Sequence, residues 1–359
     1  MGPRILLLSV ALALAAGPLP AGAADRLDEL VEIERGKQKI PGVGVAIVRG
    51  GEPLKLQGYG LANVEHRVPV SPETIFQSGS VGKQFTAVAV MLQVEAGTLA
   101  LDDPIARFFP GAPAAWKRIT VRHLLTHTSG IADYGSASVD YRKDYSDDEF
   151  ARMAFGLALE FPPGSRYSYS NTGYALLGFI VNKAAGRFYG DVLAERVFAP
   201  LGMTTARVMS ESAIVPNRAA GYRLVDGALQ NQEWVSPQLN TMADGSLYLS
   251  LRDLVAWDRG LRAGAVLKPE SWNEVYAPVA LTSGKTYPYG FGWKLDEVAG
   301  QKVRRHGGSW QGFKSDIARF LGSDLTVIVL ANLAQARPER FTDALAGAVD
   351  PTLAAAMSR

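Results

Sequence analysis

The sequence predicts a mixed α/β fold in which one antiparallel sheet, built from both ends of the chain, is covered by helices and joined to a helical region. Three features favour this class. Short apolar runs separated by glycine turns occur near the N-terminus, apolar residues recur at helical spacing through the middle, and short apolar runs return after residue 285. Since strands from both ends can be covered by the same helices, the simplest assembly places them in one sheet.

The strands are predicted from short apolar runs bounded by turn residues. Gly50 and Gly51 separate the first two runs and are typical of a hairpin turn. We expect a sheet of five strands or more. The predicted strands are Val43–Val48, Pro53–Tyr59, Tyr289–Leu295, Gln301–His306, Lys314–Phe320 and Leu325–Leu330.

The helices are predicted from apolar residues three or four positions apart and from residues suited to helix ends. Thr120 is a candidate N-cap, and Gly97 and Gly186 are candidate C-caps. This order of elements predicts a sheet subdomain at 24–77 and 205–359 and a helical subdomain at 78–204. The predicted helices are Ser80–Ala96, Val121–His127, Thr172–Ala185, Ser250–Leu261 and Pro338–Val349.

The composition is that of a globular protein and excludes several kinds of site. The chain has 359 residues, with 37 Lys and Arg against 35 Asp and Glu. No basic cluster points to a nucleic-acid partner. Cysteine is absent, which excludes a thiol nucleophile and a disulfide framework. The four histidines show no zinc-binding spacing, so we expect neither a metal nor an organic cofactor.

The N-terminus predicts a secretory signal peptide over residues 1–23. Arg4 precedes an apolar run from Ile5 to Gly17, and Ala21 to Ala23 form a small-residue cleavage site. The apolar run is shorter than the ~20 residues that a membrane span requires, which disfavours a permanent anchor. We therefore expect a periplasmic or secreted protein with no membrane span after cleavage.

Ser80 and Lys83 form the only Ser-x-x-Lys pair in the chain, at the start of a predicted helix. Residues three apart lie on one helical face, so the amine can reach the hydroxyl. A serine hydroxyl needs a base to become a nucleophile, and a lysine can be that base when burial lowers its pKa. The helix N-terminus also favours a developing oxyanion. The alternative is an N-cap serine beside a solvated lysine.

Tyr169 and Asn171 form the only Tyr-x-Asn pair, in a polar turn before an apolar helix. A phenol can relay a proton if a nearby ammonium lowers its pKa. An Asn amide can both donate to and accept from a bound peptide-like group. The alternative is turn chemistry, with Asn171 as an N-cap or in an Asx turn.

Residues 306–309, with the sequence His-Gly-Gly-Ser, follow a predicted strand. Small residues there allow a substrate backbone to lie against the strand edge. The N–H of Ser309 could then face the N–H of Ser80 across a substrate carbonyl. His306 ends the predicted strand, and Arg304 lies on the same strand face. The alternative for His306 is a hydrogen-bonded structural histidine, and His127 is interpreted as part of a structural turn.

In this order, the three motifs resemble those of the serine β-lactamase and penicillin-binding-protein superfamily. Tyr-x-Asn in place of Ser-x-Asn is similar to the class C branch, which also contains D-aminopeptidases, DD-peptidases and esterases. The resemblance implies an α/β domain with an antiparallel sheet, an all-helical domain and an active site in the cleft between them. Further stretches that fit the branch are Leu124–Gly130, Gly245–Ser250, Tyr289–Trp293 and His306–Phe313.

The resemblance also implies a role for each motif residue. Ser80 attacks a carbonyl and forms an acyl-enzyme, while Lys83 and Tyr169 exchange the proton. The backbone N–H groups of Ser80 and Ser309 form the oxyanion hole, and no cofactor takes part. The residues that the resemblance places at the substrate are Asn171, His306, Gly308 and Ser309. With that role, His306 as an imidazolium could bind a substrate carboxylate, and Arg304 is a second source of that charge.

The third motif departs from the class C β-lactamases, which carry Lys-Thr-Gly where this chain has His-Gly-Gly. A histidine there is similar to D-aminopeptidases and some DD-peptidases. We therefore expect an exported serine hydrolase that acts on a small or peptide substrate, either a D-amino-acid peptide or amide or a carboxylic ester, with slow β-lactam turnover. The alternatives are a class C-type β-lactamase with weak turnover and a penicillin-binding cell-wall sensor that is acylated without hydrolysis.

Signal cleavage is predicted after Ala23 or Ala24. N-terminal sequencing of protein recovered from the periplasm or the growth medium should therefore begin at Ala24 or Asp25. A mature protein that retains Ile5 to Gly17 would contradict this prediction, because that segment would hold it at the membrane.

Overall fold

The computed structural model describes residues 21–136 and 139–357 and has the predicted mixed α/β class. Its strands, numbered along the chain, are β1 (Gly42–Arg49), β2 (Glu52–Asn63), β3 (Val68–Pro69), β4 (Phe76–Gln77), β5 (Arg207–Val208), β6 (Tyr222–Val225), β7 (Ala228–Asn231), β8 (Leu247–Leu249), β9 (Val279–Ala280), β10 (Thr286–Tyr287), β11 (Lys294–Val298), β12 (Gln301–Trp310), β13 (Phe313–Phe320) and β14 (Leu325–Ala331).

The main sheet has seven antiparallel strands in the order β11-β12-β13-β14-β1-β2-β3. The C-terminal strands therefore join the N-terminal hairpin where β14 pairs with β1, with Val45 opposite Val329. This pairing of the two chain ends is the arrangement that the sequence predicts.

The helices surround this sheet and fill the region between β4 and β5. They are α1 (Ala21–Gln38), α2 (Lys83–Glu95), α3 (Val121–Leu125), α4 (Asp147–Phe155), α5 (Asn171–Ala185), α6 (Tyr189–Leu193), α7 (Ala199–Leu201), α8 (Leu251–Arg262), α9 (Pro269–Val275), α10 (Pro338–Val349) and α11 (Pro351–Met357). No helix within the described ranges combines the length and apolar character that crossing a membrane would need.

Strand β1 lies near the middle of the sheet because its sequence can be buried on both faces. Its residues from Gly42 to Val48 are all buried. Val43, Val45 and Ile47 belong to the core that contains apolar residues of α1, α10 and α11. Ala46 and Val48 belong to the larger core on the other face, which includes α2 and α8.

Two buried helices begin at the same place in the larger core. Helix α2 is enclosed on nearly all sides and contacts α5, α6 and α9. Helix α5 starts with the Ser170 side chain accepting the N–H of Gly173 and ends at Gly186, whose φ of 67° is left-handed. The first residues of these helices, Lys83 and Asn171, are consequently held side by side.

Two predicted strand boundaries are wrong, and both lie near this point. The strand expected at Tyr289–Leu295 begins only at Lys294, because the N–H of Phe291 donates to Val275 and Gly292 has a φ of 75°. A Cβ at residue 292 would lie 2.8 Å from the Lys83 carbonyl carbon, so the backbone needs glycine to pass there. The strand expected to end at His306 continues to Trp310 as β12.

Helix α1 has no counterpart among the predicted elements. It begins at Ala21, within the predicted signal peptide of residues 1–23, and buries Leu27 and Val31 in the sheet core. The remainder of the predicted signal peptide, residues 1–20, lies outside the described residues. The signal peptide and the two subdomains remain predictions.

Candidate active site

The predicted nucleophile lies in a short 3-10 helix between the sheet and the helical region. This turn, Gly79–Gly82, leads directly into α2 and packs against β12 and β13. Ser80 lines two cavities, one of about 190 Å³ and one of about 920 Å³. Its hydroxyl is therefore accessible from both sides while its backbone is fixed.

Lys83 is fully buried, and its amine has three oxygen neighbours. The Nζ atom lies 3.1 Å from Ser80 Oγ and 2.8 Å from Asn171 Oδ1, and it also donates to the main-chain carbonyl of Asp244. A neutral amine has two hydrogens and one lone pair. With the hydrogens donated to Asn171 and Asp244, the lone pair is left to accept the Ser80 proton.

Burial lowers the pKa of Lys83 to about 8, although the carboxylates of Asp244 and Asp133 oppose the decrease. With this pKa, about a tenth of the amine is the free base at pH 7 and about half at pH 8. An ordinary solvated lysine, the alternative left open by the sequence, does not have these surroundings.

Tyr169 lies next to both Ser80 and Lys83. Lys83 Nζ is 5.0 Å from the centre of its ring, and the buried hydroxyl faces Ser80 without a hydrogen-bond partner among the described residues. Burial raises the pKa of Tyr169, so the expectation that a nearby ammonium lowers it is wrong. The amine contacts the ring face and leaves the phenol protonated, as a donor.

Asn171 is hydrogen-bonded through both its backbone and its side chain. Its backbone N–H donates to the Asp133 carboxylate, and its Oδ1 accepts from Lys83. The side-chain NH₂ is left for a ligand, and the residue lines the smaller cavity. The sequence predicts that Asn171 either serves as an N-cap or in an Asx turn, or binds the substrate. Its contacts in the structure are compatible with both roles.

His306 is buried and uncharged, which contradicts the expectation of an imidazolium that binds a carboxylate. Burial and the nearby Lys83 lower its pKa to about 3. Both ring nitrogens are also occupied, since Nδ1 lies 2.7 Å from the Gly307 carbonyl and Nε2 lies 3.0 Å from the Tyr289 hydroxyl.

These contacts belong to a chain of hydrogen bonds that determines which ring nitrogen of His127 and of His306 carries the proton. The N–H of Ser170 donates to Nδ1 of His127 at 3.1 Å, so the proton of His127 is on Nε2, 3.2 Å from Tyr289 Oη. Tyr289 then donates to His306, which donates to Gly307. The chain connects the second motif to the third through His127, which the sequence assigned only to a turn.

Arg304, the second predicted source of positive charge, also lies elsewhere. Its guanidinium lies 3.4 Å from the centre of the Tyr276 ring, and it is not among the residues that line either cavity. Arg305 lines the larger cavity but is held by Asp316 and Asp343. Both arginines therefore have partners distant in sequence, which the spacing of residues along the strand does not reveal.

Gly308 and Ser309 lie where β12 crosses the nucleophile turn. A Cβ on Gly308 would be 2.0 Å from the Ser78 carbonyl oxygen and 3.0 Å from Ser80 N, and one on Gly79 would be 2.3 Å from Ser309 N. The amide nitrogens of Ser80 and Ser309 therefore meet at a contact that only glycines permit. Two amide groups held close together beside a nucleophile can form an oxyanion hole.

Two neighbouring residues complete the smaller cavity and were not identified from the sequence. Tyr134 donates its hydroxyl proton to Asp244 Oδ2 at 2.7 Å, and both residues line the cavity wall. No sequence motif marks Asp244, because a single acidic residue in a loop does not reveal that the fold brings it next to Lys83.

A buried lysine that can accept a proton from a serine, beside a glycine-built oxyanion hole, defines a serine acyl hydrolase. Residues 24–350 match the beta-lactamase family, and the chain belongs to that family. It is accordingly a serine hydrolase with the β-lactamase and transpeptidase fold.

Curated relatives and solved structures agree with this assignment. The chain is 31% identical over 306 residues to a penicillin-binding protein of Bacillus subtilis (strain 168), covering 80% of this chain and 67% of that protein. It is 29% identical over 327 residues to the D-aminopeptidase of Gluconobacter oxydans (strain 621H), covering 86% of this chain and 59% of that enzyme. The chain thus spans about three fifths of the length of the D-aminopeptidases that it matches.

Among solved structures, it is similar to the D-amino acid amidase from Ochrobactrum anthropi SV3 complexed with L-phenylalanine amide. The TM-score is 0.78 at 27% identity, and the match covers 93% of this chain and 98% of that one. The octameric penicillin-binding protein homologue from Pyrococcus abyssi matches with the same TM-score of 0.78 at 30% identity, over 90% of this chain and 76% of that chain.

The pKa of Lys83 near 8 predicts the pH dependence of acylation. For a neutral ester such as p-nitrophenyl acetate, kcat/KM should rise as the pH increases through about 8 and then level off, because the free base of Lys83 is the active form. Lys83→Arg, whose guanidinium stays protonated, should lose roughly 10²–10⁴-fold in rate. A wild-type profile that is flat from pH 6 to 10 would exclude Lys83 as the base.

The glycine contact at β12 predicts different outcomes for neighbouring substitutions. Gly308→Ala forces its methyl group against Ser78 and Ser80, so acylation by a fluorophosphonate probe should slow by more than tenfold, with a stability loss of about 1–3 kcal/mol. Gly307→Ala is the matched control, because its Cβ meets nothing closer than 3.5 Å. Labelling rates and denaturant midpoints measure both effects, and equal labelling by the two variants would contradict the contact.

Proposed function

We propose that this protein is an exported serine hydrolase that releases a D-amino acid from an amide, a peptide or an ester through an acyl-enzyme on Ser80. The observation that carries the proposal is the environment of Lys83. Its buried amine has two carbonyl acceptors and lies 3.1 Å from the serine oxygen. A base in that position can accept the proton of the Ser80 hydroxyl.

Acylation follows from this arrangement. Ser80 Oγ attacks the substrate carbonyl carbon as its proton passes to Lys83 Nζ, and the carbonyl oxygen becomes an oxyanion between the amide nitrogens of Ser80 and Ser309. When the intermediate collapses, the bond to the leaving nitrogen or oxygen breaks. The protonated phenol of Tyr169 gives its proton to that atom and is reprotonated from Lys83.

Deacylation repeats the sequence with water. Water takes the place of the leaving group, loses its proton to the regenerated base and attacks the ester carbonyl of the acyl-enzyme. The products are the free acid and the restored serine. The side-chain NH₂ of Asn171 holds the acyl group during both steps.

The D-amino-acid specificity rests on similarity and on the third motif. Relatives named D-aminopeptidase and a structural neighbour named D-amino acid amidase support it. The neutral His306 supports it as well, because a β-lactam carboxylate finds no cation at that position. We further propose that the enzyme acts in the periplasm or outside the cell, which rests on the N-terminal sequence alone.

A substrate panel tests the proposed activity. D-phenylalanine amide, its L enantiomer, p-nitrophenyl acetate and nitrocefin are each incubated with the wild type and with Ser80→Ala, and intact mass reveals any acyl adduct. We expect turnover of the D-amide above the L-amide, slow nitrocefin turnover, and a loss of roughly 10⁴-fold or more in the Ala variant.

The other outcomes identify the alternatives. A nitrocefin kcat far above the enzyme median of about 10 s⁻¹ would make the protein a β-lactamase. A stable adduct without turnover of any substrate would make it a penicillin-binding sensor. Hydrolysis that persists in Ser80→Ala would exclude the serine mechanism.

A further inference from the structure

The nucleophile separates two cavities of different size and charge. The smaller one, of about 190 Å³, is lined by residues that include Asp244, Asn171, Tyr134 and Trp310. The larger one, of about 920 Å³, is open and carries Lys294 and Lys314 on its wall. Since Ser80 lines both, a substrate bound at the serine places its acyl group in one cavity and its leaving group in the other.

The Asp244 carboxylate is a charged group that the acylation chemistry does not use. Lys83 donates to the main-chain carbonyl of this residue and not to its side chain. Tyr134 donates to Oδ2 at 2.7 Å, and no described residue donates to Oδ1. The residue is partly exposed, and it lines the smaller cavity.

Asp133, the other acid near Lys83, differs in this respect. Its Oδ2 accepts the backbone N–H of Asn171, and its Oδ1 accepts the backbone N–H of Gly135 at 2.8 Å. Both of its oxygens are therefore used to hold the main chain. Asp244 is left as the carboxylate with an oxygen available to a ligand, beside the nucleophile.

We propose that the Asp244 carboxylate binds the α-ammonium group of the acyl residue, which makes the enzyme selective for substrates with a free N-terminal amine. In an aminoacyl substrate the ammonium is attached to the carbon next to the reacting carbonyl. It therefore enters whichever cavity holds the acyl group, and an ammonium beside a carboxylate of low solvent exposure forms a strong charge-assisted hydrogen bond.

The size of the cavity adds to this selectivity. A volume of about 190 Å³ suits a single amino-acid residue better than a longer acyl chain. The leaving group then extends into the larger cavity, where the lysines suit a peptide with a terminal carboxylate. The inference rests on the proposed hydrolase activity and specifies its substrates as unblocked amino acid amides and peptides, cleaved one residue at a time.

Paired substrates test the role of Asp244. D-alanine p-nitroanilide and N-acetyl-D-alanine p-nitroanilide differ at the amine, which acetylation makes neutral and larger, and the measured quantity is the ratio of their kcat/KM values. We expect the wild type to favour the free amine by at least tenfold and Asp244→Asn to lose most of that preference. Asp148→Asn, which removes an exposed carboxylate from α4, is the matched control and should keep the wild-type ratio.

The ratio separates recognition from an effect on the base. If Asp244 acted only on the pKa of Lys83, its replacement would change the rates for both substrates by the same factor and leave the ratio unchanged, which would overturn the proposal. A wild type that hydrolyses both anilides equally would also overturn it. If neither is hydrolysed and Ser80 is not labelled, the proposed function itself fails.

A second measurement needs no variant and protects the test against a misfolded Asp244→Asn. D-lactamide replaces the ammonium of D-alaninamide with an uncharged hydroxyl of similar size. Ammonia release from the wild type should be at least tenfold faster, in kcat/KM, for D-alaninamide. Equal rates for the two amides would contradict an ammonium site.

Discussion

The site depends on the burial of one amine among hydrogen-bond partners that belong to three separate segments. Lys83 reaches the nucleophile turn through Ser80, the start of α5 through Asn171, and the loop before β8 through the carbonyl of Asp244. A buried ammonium or amine without partners is costly, so each segment must be in place before the lysine can be accommodated. Glycines at 245 and 292 make this possible by bringing backbone within contact distance of the turn and of Lys83.

The third motif solves a related electrostatic problem. A second cation next to Lys83 in this low-dielectric interior would be repelled, and His306 avoids the repulsion by remaining neutral. Its hydrogen bonds run in one direction from Ser170 through His127 and Tyr289 to Gly307, so each group is satisfied without a charge. The motif therefore gives the active site a fixed strand edge without a charge, whereas a lysine at this position would add a positive charge.

The sequence was sufficient for elements whose pattern is local. The hairpin, the helices α2, α5, α8 and α10 and the strands β12 to β14 follow from apolar spacing and end residues, and the Ser80–Lys83 pair follows from helical geometry. What could not be predicted arises from contacts distant in sequence. Asp244 lies 161 residues from the lysine that it contacts, and the strand expected at Tyr289 is broken by the need for Gly292 to pass Lys83.

Asp244 links the pKa of Lys83 to the group that occupies the smaller cavity. Burial alone would lower the pKa of Lys83, and the Asp244 carboxylate limits that decrease, so the value near 8 is a balance of the two. A positive group bound to the carboxylate would offset its charge, so burial would lower the pKa of Lys83 further. The amine would then lose its proton more readily while an ammonium-bearing acyl group is bound than while the cavity holds a neutral one. Recognition of the substrate and activation of the serine are therefore properties of the same short segment, the loop that follows Ala243 and leads into β8.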